Sequence, residues 1–384
     1  MASSTPGASR EPRSLGRPGR LKRILLVGGV ALVVLLAGYG VYAYLSTPPA
    51  TLVIYTYPSL FGGACGGNLT SQTFGEFEAK YDVRVQLECP SGTLASALIA
   101  QKGAPAADVV IGLDEVTAPQ ADAAGVLLPY VSPALANISP TLVDEIGNDH
   151  AVTPYEWGYL GIDYCAGFGN GSTVGGSGMN FPAFAQNSSW ARNLLIEDPT
   201  TDITGQEFLL WEIQFYSQVL HQDWRSWWHA VSPSMSTAAT WDDAYAEFTC
   251  APSTPQMYVS YLNDPAYAAD SGAAGSLNSS VSWWNGTPYG WKTIYGLGIV
   301  KGSKHVGLDE KLIDWFLTGD VQSRLPTSEW EFPANSTVAV PAVFHWAMDS
   351  SQVHPLNDGV TPSEIAANLT TWVDEWQSVV DSAT

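Results

Sequence analysis

The segment Ala107–Leu113 (Ala-Asp-Val-Val-Ile-Gly-Leu) restricts the fold more than any other stretch of the chain. A short, almost continuous apolar run with β-branched residues is the mark of a strand covered by helices on both faces. Its neighbours agree. Thr51–Tyr57 reads as a strand, Ser71–Tyr81 has helical spacing through Phe74, Phe77 and Tyr81, and Val83–Leu87 alternates as a strand. Leu94–Gln101 reads as a helix, and Asp114–Ala124 as the next one. Strand and helix alternating in this way imply βαβ units and an α/β fold. Ligands in such sheets sit beyond the carboxyl ends of the strands. Tyr57, Ser91 and Asp114 each fall at or near such an end.

Pro154–Asp163 reads as a strand crossing to a second lobe, and residues 167–180 as an exposed loop rich in Gly, Ser and Asn. Leu194–Asp198 is a short strand. It ends in the polar turn Pro199–Gly205, which contains Asp202 and leads into an amphipathic helix, Glu207–Leu220. That turn suits either a plain N-cap or a small anion or polar-group site. Ser226–Val231 and Trp241–Phe248 read as helices. Met257–Tyr261 is a buried strand ended by the turn Asn263-Asp264-Pro265. Tyr258, Tyr261, Tyr267 and Asp264 then gather at the strand's mouth. Rings beside a carboxylate suit a flat organic cation; the plainer alternative is a core strand with satisfied hydroxyls. Gly290–Val300 returns to the first lobe. A helix at Asp309–Leu317, a loop with an aromatic centre at Leu325–Pro333 and a helix at Ala367–Val380 follow. The expected division is 51–155 for the first part of lobe 1, 156–290 for lobe 2, 291–340 for the return and 341–384 for a C-terminal helical segment.

The charge is split along the chain. Residues 1–50 hold six of the 16 basic residues and one of the 37 acidic ones, so residues 51–384 carry a net charge of −26. So acidic a surface excludes charge-driven binding of nucleic acid or anionic lipid and favours cationic ligands. Ile24–Tyr44 is a run of 21 residues without a charge, long enough to span a bilayer. The basic segment 1–23 before it predicts a cytoplasmic N-terminus, a transmembrane anchor at 24–44, a linker at 45–50 and an extracytoplasmic remainder, 46–384. No small-x-small cleavage site is evident, which favours an uncleaved anchor over a signal peptide. Eight Asn-x-Ser/Thr sequons, at Asn68, Asn137, Asn170, Asn187, Asn278, Asn285, Asn335 and Asn368, suggest a glycosylated surface. Four cysteines allow three pairings, of which Cys65–Cys89 with Cys165–Cys250 is expected.

Catalytic signatures are missing. The chain has no phosphate loop, no Gly-x-Ser-x-Gly elbow and no His-Glu-x-x-His, and its six histidines have no metal-ligand spacing. Binding is favoured over catalysis, and neither metal nor cofactor is called for.

Taken in order, Val53–Tyr57, Ala107–Asp114, Pro154–Tyr164, Asp198–Trp211, Trp241–Phe248, Val259–Tyr267, Leu325–Pro341 and Trp372–Trp376 resemble the thiamine-binding proteins of ABC importers, within the two-lobed periplasmic-binding-protein superfamily. The resemblance spans most of residues 51–380. It implies two α/β lobes joined by crossing strands, a hinge, and a central ligand cleft. It also implies an aromatic cage for thiamine, to which Tyr57, Trp241, Tyr261, Tyr267 and Trp330 correspond, with Pro265 shaping a turn. Thiamine is flat, aromatic and permanently cationic, so stacking and cation–π contacts can hold it. An ABC permease is the implied partner, and a monomer is expected.

Three positions depart from the family pattern. Ser91 stands where the family has an acidic residue followed by Gly, Asp202 where a small hydroxyl residue is usual, and Asp264 in place of a serine. The two added carboxylates predict that phosphorylated thiamine is disfavoured. Three other readings remain: the same fold with another solute, such as a polyamine or iron; a thiamine-cleaving enzyme with a cysteine nucleophile; and a glycan-binding surface protein. A thiol count separates the enzyme, since a chain with every cysteine in a disulfide has no thiolate.

Overall fold

The computed structural model describes Met1 and residues 32–36, 49–65, 73–147, 149–168 and 178–383. Met1–Ala50 and Thr51–Thr384 form separate units. Of the expected span 24–44, only the helical turn 32–36 falls within the described residues; the basic segment 1–23 beyond Met1, most of the linker and the sequons Asn68 and Asn170 lie outside them. Among the described residues no helix is long and apolar enough to cross a membrane.

The strands are β1 (Ala50–Tyr55), β2 (Val83–Glu88), β3 (Val109–Asp114), the two-residue β4 (Leu127–Leu128), β5 (Thr153–Cys165), β6 (Leu194–Glu197), β7 (Ser236–Ala238), β8 (Met257–Tyr261), β9 (Leu277–Ser280), β10 (Ser282–Trp284), β11 (Thr287–Gly290), β12 (Lys292–Val300), β13 (Phe332–Pro333) and β14 (His354–Pro355). The main sheet runs β2-β1-β3-β12-β5-β8-β6-β7. The first lobe has a parallel pair in β1 and β3, and the second a parallel run of β8, β6 and β7. Between them the crossing strands β12 and β5 run antiparallel to each other and to their neighbours. The 13-residue β5 belongs to both lobes: Thr153–Tyr159 pairs with β12 and Leu160–Tyr164 with β8.

Local sequence sets several of these elements. Every residue of β3 is buried, as its apolar run requires. Thr93 caps the helix Leu94–Ala100 through Ser96 N, 3.2 Å from its hydroxyl. Thr240 caps Trp241–Glu247, with Asp242 and Asp243 in the first turn against the helix dipole.

Four expectations are corrected. The helix read as amphipathic from Glu207 starts at Ile203 and is buried on every face from Thr204 to Gln214, because it packs inside the second lobe rather than on its surface. Asp114 ends β3 instead of opening a helix; the helix starts at Ala118. Asn263-Asp264-Pro265 does not simply stop the strand. Pro265 sits in the first turn of a new helix, Asp264–Ala268, where its missing N–H costs nothing. Leu325–Pro333 is not all loop: Leu325–Ser328 is helical, and β13 pairs with β5 at Trp157 and Glu156.

Much of the tryptophan is core. Phe181 meets Trp211, Phe215 and Trp227 edge to face with ring centroids 5.1–5.4 Å apart. Trp228 bridges Trp227 at 4.7 Å and Trp376 at 5.8 Å. Such T-shaped pairs are the favoured geometry. Cys65–Cys89 and Cys165–Cys250 are the disulfides, as expected, and no cysteine is free. Of the six described sequons, five have exposed asparagines; Asn335 is 4 % exposed and donates to Leu317 O at 3.0 Å. That sequon is a structural asparagine, which corrects the count of candidate glycosylation sites.

Candidate functional site

Seven aromatic side chains from both lobes form a circuit where β1, β12 and β8 end or cross. Tyr57, just beyond β1, lies 6.1 Å from Tyr295 of β12 between ring centroids. The hydroxyls of Tyr295 and Tyr261 are 2.6 Å apart. Tyr261 ends β8 and faces Trp241 at 6.2 Å. One helical turn on, Tyr245 stacks on Trp241 at 5.3 Å, with the planes 15° apart. The Tyr245 hydroxyl is 3.2 Å from that of Tyr267. Tyr267 meets Trp330 at 5.4 Å, and Trp330 stacks on Phe344 at 6.2 Å. The neighbouring Glu329 closes the circuit by accepting from the Tyr57 hydroxyl at 3.0 Å.

Backbone conformation places two of these rings. Gly112 has φ +109°, and a methyl group there would overlap the Tyr57 ring. Trp330 itself holds left-handed backbone, φ 62°, between the helix Leu325–Ser328 and β13.

Carboxylates line the same region. Asp114 and Glu156 flank Tyr295 in register across β3, β12 and β5. Glu156 and Glu329 reach the Tyr57 hydroxyl, and Tyr155 lies 3.2 Å from it. Glu331 accepts from Asn263 at 3.2 Å, and its carboxylate fills the space where Gly158 lacks a side chain. Glu207 approaches the acid groups of Asp114 and Glu115. Lys292 is the one buried basic residue among those described, and it bonds Glu145 at 2.7 and 2.9 Å. Burial raises every one of these acids: Asp114 to about 6 and Glu329 to about 7. It pushes Glu115, Glu156, Glu207 and Glu331 well above the carboxylate range, helped by neighbouring carboxylates.

Among the residues singled out from sequence, Tyr57, Trp241, Tyr261, Tyr267 and Trp330 come together. Pro265, buried, starts the helix that carries Tyr267. Asp114 accepts from Val116 N, Thr117 N and the Thr117 hydroxyl at 2.7–2.8 Å, beside the circuit. Asp202 caps the helix Ile203–Gln214 through Thr204 N and braces Trp241 N at 3.1 Å. Its own carboxylate caps that helix start, as the capping alternative expects. Asp264 accepts from the Ser260 hydroxyl at 2.5 Å, and Ser260 accepts from the Trp241 indole at 3.1 Å. Ser91 is exposed in the turn before Thr93, and no contact among the described residues ties it to the circuit. Tyr245, Tyr295, Glu115, Glu156, Glu207, Glu329 and Glu331 were missed. The spacing Trp241-x-x-x-Tyr245 was the available signal for the first.

No family model matches the chain. The thiamine-binding periplasmic protein of Brucella suis biovar 1 (strain 1330) is 25 % identical over 350 residues, covering 88 % of this chain and 96 % of that protein. A solved periplasmic thiamin binding protein superposes with TM-score 0.71 at 22 % identity, covering 86 % of this chain and 96 % of its own. The ferric binding protein from Campylobacter jejuni superposes with TM-score 0.67 at 18 % identity, covering 85 % and 99 %. With two lobes, crossing strands between them and relatives that span most of its length, the chain has the two-lobed periplasmic-binding-protein fold and is similar to thiamine-binding periplasmic proteins.

Proposed function

We propose that the chain is an extracytoplasmic solute-binding protein, not an enzyme, that captures thiamine or a close derivative between its lobes and delivers it to an ABC permease. The observation that carries this reading is the circuit from Tyr57 to Trp330, backed by buried carboxylates that no buried basic side chain among the described residues faces. Rings supply stacking and cation–π attraction, and carboxylates supply charge for a thiazolium. The relatives named for thiamine binding support the choice of ligand. Tethering through residues 24–44 would hold the receptor near its permease.

The absence of free thiols among four described cysteines speaks against the cysteine-nucleophile enzyme. A ferric reading draws on the oxygen cluster of Tyr57, Tyr155, Glu156 and Glu329. Burial raises both phenols, so a phenolate there forms only with a metal ion to displace its proton. Calorimetric titration of the purified chain with thiamine is the test, with Trp330→Ala and Tyr267→Ala as controls. Micromolar or tighter binding, lost in both variants, with thiamine recovered intact, is the expected result. Absence of heat with thiamine, its phosphates and its pyrimidine half would turn the search to other solutes.

A further inference from the structure

Glu207 is fully buried, and neither of its carboxylate oxygens has a hydrogen-bond partner. It faces two carboxylates that are already held in place. Asp114 is fixed by Val116 N, Thr117 N and the Thr117 hydroxyl; Glu115 accepts from the Trp291 indole at 2.6 Å and Ile294 N at 2.8 Å. One oxygen from each of the three residues lies within 4.8 Å of the other two. A buried carboxylate without donors, pointed at two more, is an unsatisfied arrangement unless a proton or a cation sits among them. Lys292, the one buried basic side chain described, is engaged by Glu145.

We propose that Asp114, Glu115 and Glu207 form a site for a hard divalent cation of calcium size, set beside the Tyr295–Tyr261 stretch of the aromatic circuit. Three oxygens no more than 4.8 Å apart share a centre within about 2.8 Å of each, close to the 2.3–2.6 Å that calcium takes and looser than magnesium demands. An all-carboxylate set selects hard ions over thiophilic ones. Asp114 and Glu115 stand at the end of β3 in the first lobe, and Glu207 on the helix Ile203–Gln214 of the second. The ion therefore joins the lobes and favours the closed arrangement, with or without a solute in the cleft.

The test is calorimetric titration of chelator-stripped full chain with calcium chloride at neutral pH, followed by magnesium and manganese chloride. One site per chain is expected, with calcium tighter than magnesium, weakened about tenfold or more by Glu207→Gln because a neutral carboxamide replaces a charged ligand. Glu115→Gln gives a second variant should the first fail to fold, and small-angle scattering should show the stripped chain compacting as calcium is added. Lack of single-site binding by the unmodified chain, or single-site binding unchanged in both variants, would overturn the proposal. Thiamine titration of the stripped chain reads the aromatic circuit separately, so either site can fail alone.

Discussion

Trp330 meets Tyr267 edge to face at 5.4 Å while its own backbone is left-handed, φ 62°. Left-handed backbone disfavours any residue with a Cβ by about 1–2 kcal/mol, and glycine escapes that penalty. The site thus holds a strained tryptophan in place by packing it between Tyr267 and Phe344. Trp330→Ala and Trp330→Gly should lose thiamine binding alike. In urea denaturation the glycine variant should be the more stable of the two by about 1 kcal/mol. Equal stability would mean that the backbone relaxes once the ring is removed.

Gly112 carries the Tyr57 ring against it at φ +109°. Gly112→Ala should destabilise the chain by at least about 2 kcal/mol, combining the backbone penalty with displacement of a packed ring. It should also weaken thiamine binding, since Tyr57 must move. Retention of full affinity would place Tyr57 outside the binding surface.

Asp114 and Glu329 bind protons more tightly folded than unfolded, with folded values of about 6 and about 7. For acids raised in this way the stabilising contribution is complete below the unfolded values, and it is lost as pH rises toward the folded ones. Stability of the ligand-free chain should therefore fall between about pH 4 and pH 7. Affinity for a cation should rise across the same window as the carboxylates ionise. Melting curves and titrations at matched pH values check both signs.

Glu156 and Glu331 are buried and Glu329 half-buried with the circuit, and among the described residues no buried cation lies beside them. A phosphate brought among them meets like charge. Thiamine monophosphate should bind at least about tenfold more weakly than thiamine, a difference of about 1.4 kcal/mol. Equal affinities would show that the phosphate points out to solvent.

Asn335 is bonded at both ends of its side chain: Oδ1 accepts from Thr337 N at 3.1 Å and the Thr337 hydroxyl at 2.7 Å, while Nδ2 donates to Leu317 O at 3.0 Å. Glycopeptide mapping should find it unmodified even where Asn137, Asn187, Asn278, Asn285 or Asn368 carry glycan. Asn335→Ala should cost about 1–3 kcal/mol through the partners it leaves unpaired.

The α/β class and most strand positions were legible because they follow from local pattern; the disulfide pairing, one of three the four cysteines allow, was not fixed by any pattern. Val109–Asp114 could be read from its apolar run, and Met257–Tyr261 from its β-branched and aromatic residues. The five aromatics expected to form a cage were singled out through family resemblance, and the structure brings them near one another. Burial decided what was missed. Glu207 reads as the solvent face of an amphipathic helix until the fold surrounds that helix on all sides. Its neighbours Asp114 and Glu115 are distant in sequence, and no periodicity signals that they meet. Asp202 and Asp264 look like ligand carboxylates by composition, yet both are engaged by backbone N–H groups and hydroxyls of their own lobe.

Two tyrosine pairs in the circuit, Tyr245 with Tyr267 and Tyr261 with Tyr295, face hydroxyl to hydroxyl. In such a pair either oxygen can donate, and reversing the direction leaves the heavy atoms where they are. The wall therefore has no fixed polarity and presents a proton or a lone pair according to what arrives. A receptor built this way reads the outline and charge of its guest and is indifferent to the order of donors and acceptors along the guest's edge. If the proposed function holds, selectivity among flat cations of one size should be broad, and discrimination against neutral or anionic guests of that size sharp.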